Sequence, residues 1–158
     1  MIAKLIVRLG AMAATLAPAL WAGMILGAGF IAVPAIFDVN LAWKPFAYGA
    51  AARVFERLGE AEWAFAAILI MALATQQFPK RRTIAALMLF LLTATQAIWL
   101  RPELAERAAI LAAGGSVEPS PAHAIYAGLE LLKLAWLAGL AYAGGPKGEA
   151  LLYRRPRL

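Results

Sequence analysis

The chain has 158 residues, 63% of them apolar, with 15 basic side chains against nine acidic ones. Soluble domains are about 45–50% apolar, so this composition and a mean hydropathy of +0.73 exclude an ordinary soluble core and predict one integral membrane domain, residues 1–158. Cysteine is absent and there is one histidine, which excludes thiolate and multi-histidine metal centres, so we predict neither a metal nor a cofactor.

Four segments are apolar enough to cross a bilayer. The first lies in a stretch from Gly10 to Phe37 that has no ionisable side chain, and a helix needs only about 20 residues to cross the hydrocarbon core. The composition is rich in Ala and Leu without strand-like alternation, which predicts helices. We therefore predict an all-α, four-transmembrane-helix bundle with spans at about 10–34, 62–78, 83–100 and 121–144.

Two connections between these spans are themselves predicted to be helical. Between the first two spans, over about residues 38–61, apolar residues recur at helical spacing with charges elsewhere, which predicts an amphipathic interfacial helix. After the third span, Pro102 favours a helix start and Gly114 a stop. Ser120 is then expected to cap the fourth span.

The basic residues predict how the bundle is oriented. The segment before the first span, the turn between spans two and three, and the tail 145–158 together carry nine basic residues and one acid, whereas the other connections carry five and seven. By the positive-inside rule both termini are cytoplasmic and the protein is a multi-pass component of the inner (plasma) membrane. The basic clusters have no interleaved aromatic residues of the kind that stack on bases, so we expect the lipid bilayer, not nucleic acid, as partner.

A few polar residues fall inside the predicted spans, where each is costly unless paired or hydrated. Glu130 and Lys133 are three apart on the fourth span and are expected to face each other near the bilayer midplane. Gln96 and Thr93 lie in the external half of the third span, and His123 and Glu130 lie in the external half of the fourth. This placement suggests a polar pocket that opens to the outside. Either the pair fixes helix packing, with Gln96 joining helices, or the pocket binds a proton, ion or ligand.

Gly23 and Gly27 form a Gly-xxx-Gly pattern in the first span, which favours close helix packing inside the chain or in self-association. The chain contains no hydrolase, metalloprotease or nucleotide-binding motif, and we predict no enzymatic activity.

Several short motifs together resemble the DUF4149 family, whose members are similar to TMEM205-type four-span membrane proteins. They cover roughly residues 16–142 and are Trp21-Ala-Gly23, the run from Phe30 to Phe37, Gly49 to Phe55, Gln96 to Pro102, and His123. The resemblance implies a four-helix membrane fold; the serine that the family has shortly after the histidine is absent here.

We expect a structural or accessory subunit of a membrane complex. The alternative is a small transporter or channel for a proton, metal ion or small solute past Glu130 and Lys133.

Overall fold

The structure is a computed structural model that describes residues 2–39, 43–75 and 79–144. Throughout those ranges the backbone is helical apart from short connections and contains no strand, which confirms the all-α prediction. Two π-helical segments, Gly27–Ala32 and Gln96–Leu100, continue the helices on either side without a break. The α-helices are α1 (Ile2–Leu26), α2 (Val33–Phe37), α3 (Lys44–Thr75), α4 (Lys80–Thr95), α5 (Arg101–Ala112) and α6 (Ala122–Gly144).

Three helical stretches are long and apolar enough to cross a membrane: Leu9–Phe37, Lys80–Ala112 and Ala122–Ala143. They correspond to the first, third and fourth predicted spans. The second predicted span, 62–78, follows α3 as far as Thr75, and its last three residues lie outside the described part of the chain, as does the basic tail 145–158.

The segment before the second span differs from the prediction, because α3 is one continuous helix of 32 residues, about 48 Å long at 1.5 Å per residue. A separate helix lying on the membrane surface is therefore wrong. The physical reason is that no proline follows Pro45 in this helix, and a lone glycine such as Gly59 weakens a helix without ending it. The amphipathic pattern itself is present, since Ala51 and Leu58 are buried and Arg57 is exposed.

The bundle has two distinct ends. At one end, α2 turns into α3, where Lys44 Nζ donates to the carbonyl of Phe37 over 2.5 Å; we call this the α5 end, because α5 packs there against the first half of α3. At the opposite end, Arg82 at the start of α4 donates to the carbonyl of Ala143 near the end of α6. The long helices therefore run up, down, up and down.

An apolar core runs from the middle of the bundle through the half away from α5. It contains wholly buried side chains from α1, α4 and α6, with α3 contributing further apolar residues. Apart from the indole N–H of Trp21, which is bonded to Glu62, the buried side chains of this core are apolar. Its buried members include Trp21, Ile25, Ala66, Leu69, Ala85, Leu89, Leu137 and Leu140.

The predicted glycine packing in α1 is not made within the described chain. A Cβ added at Gly23 or Gly27 would meet no atom within 4 Å, and Gly23 is exposed. Close approach to a second copy stays a prediction.

The connection from α5 to α6 follows the predicted turn chemistry. Gly114 adopts a φ of 80°, and the N–H of Gly115 donates to the carbonyl of Ile110 over 2.9 Å, which ends α5. Ser120 Oγ accepts the N–H of Ala122 at 3.2 Å, so the predicted cap of α6 is present.

Replacing Gly114 with alanine tests this turn. A side chain at positive φ is strained, so Gly114→Ala is expected to lower the free energy of unfolding by about 1–2 kcal/mol. The matched control is Gly139→Ala inside α6, where a new Cβ meets nothing within 4 Å and better helix propensity predicts a gain of up to about 1 kcal/mol. Unfolding in detergent measures both, and equal stability of the two variants would contradict the assignment.

Candidate functional site

The site is built around Glu62, which the continuity of α3 brings into the bundle. Residues 58, 62, 66 and 69 are spaced by three or four, so one helix face carries all of them. Leu58, Ala66 and Leu69 are buried on that face. Glu62 is consequently buried too, with 0% of its surface exposed.

Glu62 accepts hydrogen bonds from two other helices and forms an ion pair with a third. The indole Nε1 of Trp21 on α1 donates to Glu62 Oε1 over 3.1 Å, and Nζ of Lys133 on α6 donates to the same oxygen. Nη2 of Arg101 on α5 lies 3.8 Å from Glu62 Oε2. One carboxylate therefore connects α1, α3, α5 and α6.

Glu130 forms the second half of the same network. Its Oε1 lies 2.9 Å from Lys133 Nζ and accepts a hydrogen bond of 3.1 Å from Nε2 of Gln96. The same amide nitrogen is 3.4 Å from the backbone carbonyl of Tyr126, so α4 is tied to α6. The ammonium of Lys133 thus lies between two carboxylates, and it is itself wholly buried.

The second π-helical segment places the side chains of Gln96 and Arg101 on the same face of the helix. The N–H of Arg101 donates to the carbonyl of Gln96, five residues earlier, and such bonds put position i+5 one turn above position i. Gln96 and Leu100 are buried, whereas Ile98 is 80% exposed. In an uninterrupted α-helix, residues five apart would point in different directions, so the π-helical turn is what lets both side chains reach the network.

Arg101 occupies its position because Gly59 has no side chain. A Cβ built at Gly59 would overlap Nη1 of Arg101. The guanidinium therefore packs directly against the backbone of α3, one turn before Glu62. The Arg101 side chain is 19% exposed, which makes it the member of the network nearest to the surface at the α5 end.

The network is electrically balanced: two carboxylates face one ammonium and one guanidinium. Buried ion pairs rarely add net stability, because desolvation offsets their attraction, but removing one partner leaves an uncompensated buried charge. Replacing any one of these four side chains is therefore expected to lower the free energy of unfolding through the partners that it leaves behind.

Several polar atoms of the network have no hydrogen-bond partner among the residues that the structure describes. On the α4 and α6 side they are Thr93 Oγ1, Gln96 Oε1, Tyr126 Oη and Glu130 Oε2, and on the α3 and α5 side Glu62 Oε2 with Nε and Nη2 of Arg101. Such a concentration of unpartnered buried atoms calls for an explanation, since each one costs free energy.

The predicted pocket residues are only partly brought together. Gln96 joins Glu130 directly, and Thr93 is wholly buried one turn before it on α4. His123 is exposed at the start of α6, about 10 Å along the helix axis from Glu130. The described residues include no group of His, Cys, Asp or Glu that could hold a metal ion.

Sequence reasoning missed Glu62 and Arg101, which were assigned to the external connections. The available signal for Glu62 was its spacing from Leu58 and Ala66, which identifies a buried face once α3 is taken as continuous. For Arg101 there was no such signal, because its direction depends on the π-helical turn before it.

No protein-family model matches the chain, and no curated protein or solved structure matches it.

Replacing Lys133 tests the mutual dependence. Lys133→Met leaves two buried carboxylates without their shared cation, so we expect it to lower the free energy of unfolding by about 3–5 kcal/mol. Combining it with Glu62→Gln and Glu130→Gln removes the three deepest charges together, leaves only Arg101, which is 19% exposed, and should recover much of the loss. The control is Lys80→Met, an exposed lysine at the opposite end. Denaturant unfolding in detergent is the measurement, and wild-type stability of Lys133→Met would contradict the role of the ammonium.

Proposed function

We propose that the chain is a four-span protein of the inner (plasma) membrane with both termini in the cytoplasm. Three spans are supported by the helices that are long and apolar enough to cross. For the remaining span, 62–78, the support is that α3 continues from Glu62 to Thr75 and that its residues 64–75 include no ionisable side chain. The unequal distribution of basic residues supports the orientation, with the α5 end outside.

Single cysteines test this orientation, because the chain has no cysteine of its own. Lys80→Cys at the opposite end and Ala105→Cys in α5 are both at exposed positions. An impermeant maleimide added to intact cells is expected to label position 105 only, and position 80 only after the membrane is opened. Labelling of both positions from one side would refute the four-span arrangement.

Within this arrangement we assign the protein a structural or accessory role in a membrane complex. The observation that carries it is that the buried charges neutralise one another inside a single chain. Beyond Lys133, toward the opposite end, the buried side chains of the described bundle are apolar, including Leu89, Leu137 and Leu140. A network closed by such a layer is suited to holding helices in place. The resemblance to the DUF4149 family, which is consistent with a four-helix membrane fold, stays a prediction.

A small transporter or channel is the second candidate, and one observation favours it. The unpartnered oxygens of Thr93, Gln96 and Glu130 are more than a packing contact needs. A polar site near the bilayer midplane that handles a proton, metal ion or small solute would use such atoms.

Reconstitution separates the two functions. For an accessory role, we expect liposomes with the purified wild type to dissipate a pH gradient no faster than empty liposomes, and mild detergent to copurify the same membrane proteins with wild type and with Glu130→Gln. The control is Glu56→Gln, which changes an exposed carboxylate on α3. A flux seen in the wild type and in Glu56→Gln, but abolished in Glu130→Gln, would overturn the accessory role and establish transport.

A further inference from the structure

The contact region between α4 and α6 carries more oxygen atoms than the described residues satisfy. Thr93 Oγ1, Gln96 Oε1, Tyr126 Oη and Glu130 Oε2 make no hydrogen bond of 3.5 Å or less there, although the hydroxyl of Tyr126 faces the carboxyl of Glu130, and all four residues are at most 6% exposed. Buried polar groups without protein partners are normally bonded to ordered water, which needs two to four polar neighbours. Four such groups on two adjacent helices meet that requirement.

Water suits this place better than a metal cation. The ammonium of Lys133 is 2.9 Å from Glu130 Oε1, so a metal ion on the other oxygen of Glu130 would lie beside an existing positive charge in a medium that screens poorly. Water is neutral and both donates and accepts, as hydroxyl and carboxylate neighbours require.

The two carboxylates of the network differ in how well their charge is compensated. Glu62 contacts both cations, Lys133 and Arg101, and also accepts the indole of Trp21. Among the described residues, Glu130 has one cation beside it, the shared ammonium, and its other neighbours are the neutral amide of Gln96 and the hydroxyl of Tyr126.

The balance of charge also changes with depth. The three deepest charges, those of Glu62, Glu130 and Lys133, sum to −1, while Arg101 is closer to the surface at the α5 end. One proton on Glu130 would bring the deep set to zero. The groups that bear on this carboxyl are Lys133 and Tyr126 from α6, Gln96 from the π-helical segment after α4, Glu62 from α3 and Arg101 from α5, with Trp21 of α1 acting through Glu62.

Among the described residues, the buried polar network comes nearest to the surface at the α5 end, where the Arg101 side chain is 19% exposed. Tyr126 lies one turn before Glu130 on α6, toward the same end, where its ring packs in an apolar cluster and edge-on against Phe55 at 5.6 Å between centroids. In the other direction the buried side chains are apolar and carry no charge.

From these observations we propose that the α4 and α6 contact region holds a small cluster of water molecules and that Glu130 is a proton-binding site, which exchanges its proton with the α5 end. Proton uptake forms an O–H bond on Glu130, and Lys133 stays an ammonium paired with Glu62. The site does not depend on whether the protein is an accessory subunit or a transporter: a null flux result leaves it standing, and an absent carboxyl signal removes it.

Infrared spectroscopy of the purified protein in lipid tests the proton site. As the pH is lowered, the wild type is expected to gain a carbonyl stretch of a protonated carboxylic acid that shifts in deuterium oxide, in addition to the bands of exposed carboxyls that it shares with Glu130→Gln. The additional band should be absent from Glu130→Gln, and in Glu62→Gln, where the deep charges already sum to zero, it should appear only at lower pH. No such additional band in the folded wild type, or a band lost in Glu62→Gln but kept in Glu130→Gln, overturns the proposal.

A second variant tests the water and does not remove a charge. Thr93→Val deletes one of the proposed water ligands, so the band of Glu130 should move to higher frequency as its carbonyl loses hydrogen bonding, and an unchanged band contradicts the cluster.

X-ray radiolytic labelling, which oxidises side chains next to bound water, should modify Tyr126 although it is only 3% exposed, and spare Trp21, which is 0% exposed. An unlabelled Tyr126 overturns the water cluster whichever variants fold.

Discussion

The ammonium of Lys133, shared between Glu62 and Glu130, is the interaction on which the rest of the bundle depends. Lys133 lies at the middle of α6 and is wholly buried, so its charge needs carboxylates inside the bundle. One comes from its own helix and the other from α3. That requirement fixes the rotation of both helices, and Trp21, Gln96 and Arg101 are positioned by the same two acids.

The secondary structure could be predicted from the sequence because it depends on local chemistry. The charge-free stretch up to Phe37 forms a helix long and apolar enough to cross a membrane, Gly114 ends α5 and Ser120 caps α6, each for reasons contained in a few neighbouring residues. The pairing of Glu130 with Lys133 also follows from spacing alone, since positions three apart share a helix face.

The rest of the site could not be predicted, because it depends on how helices continue and where they rotate. Glu62 enters the core because α3 is continuous through Gly59. The sequence does not show this continuity, since a lone glycine is compatible both with a helix end and with a helix interior. Arg101 is aimed inward only by a π-helical turn, and single-sequence patterns assume the α-helical period. His123 shares a face with Glu130 by spacing, yet its place at the start of α6 leaves it exposed.

The unbroken α3 has a mechanical consequence. Its 32 residues form a rod about 48 Å long, longer than the hydrocarbon core of about 30 Å. Glu62 is fixed on this rod below the segment that packs against α5. Because the helix is unbroken between them, a rotation of the segment that packs against α5 also rotates the carboxylate of Glu62.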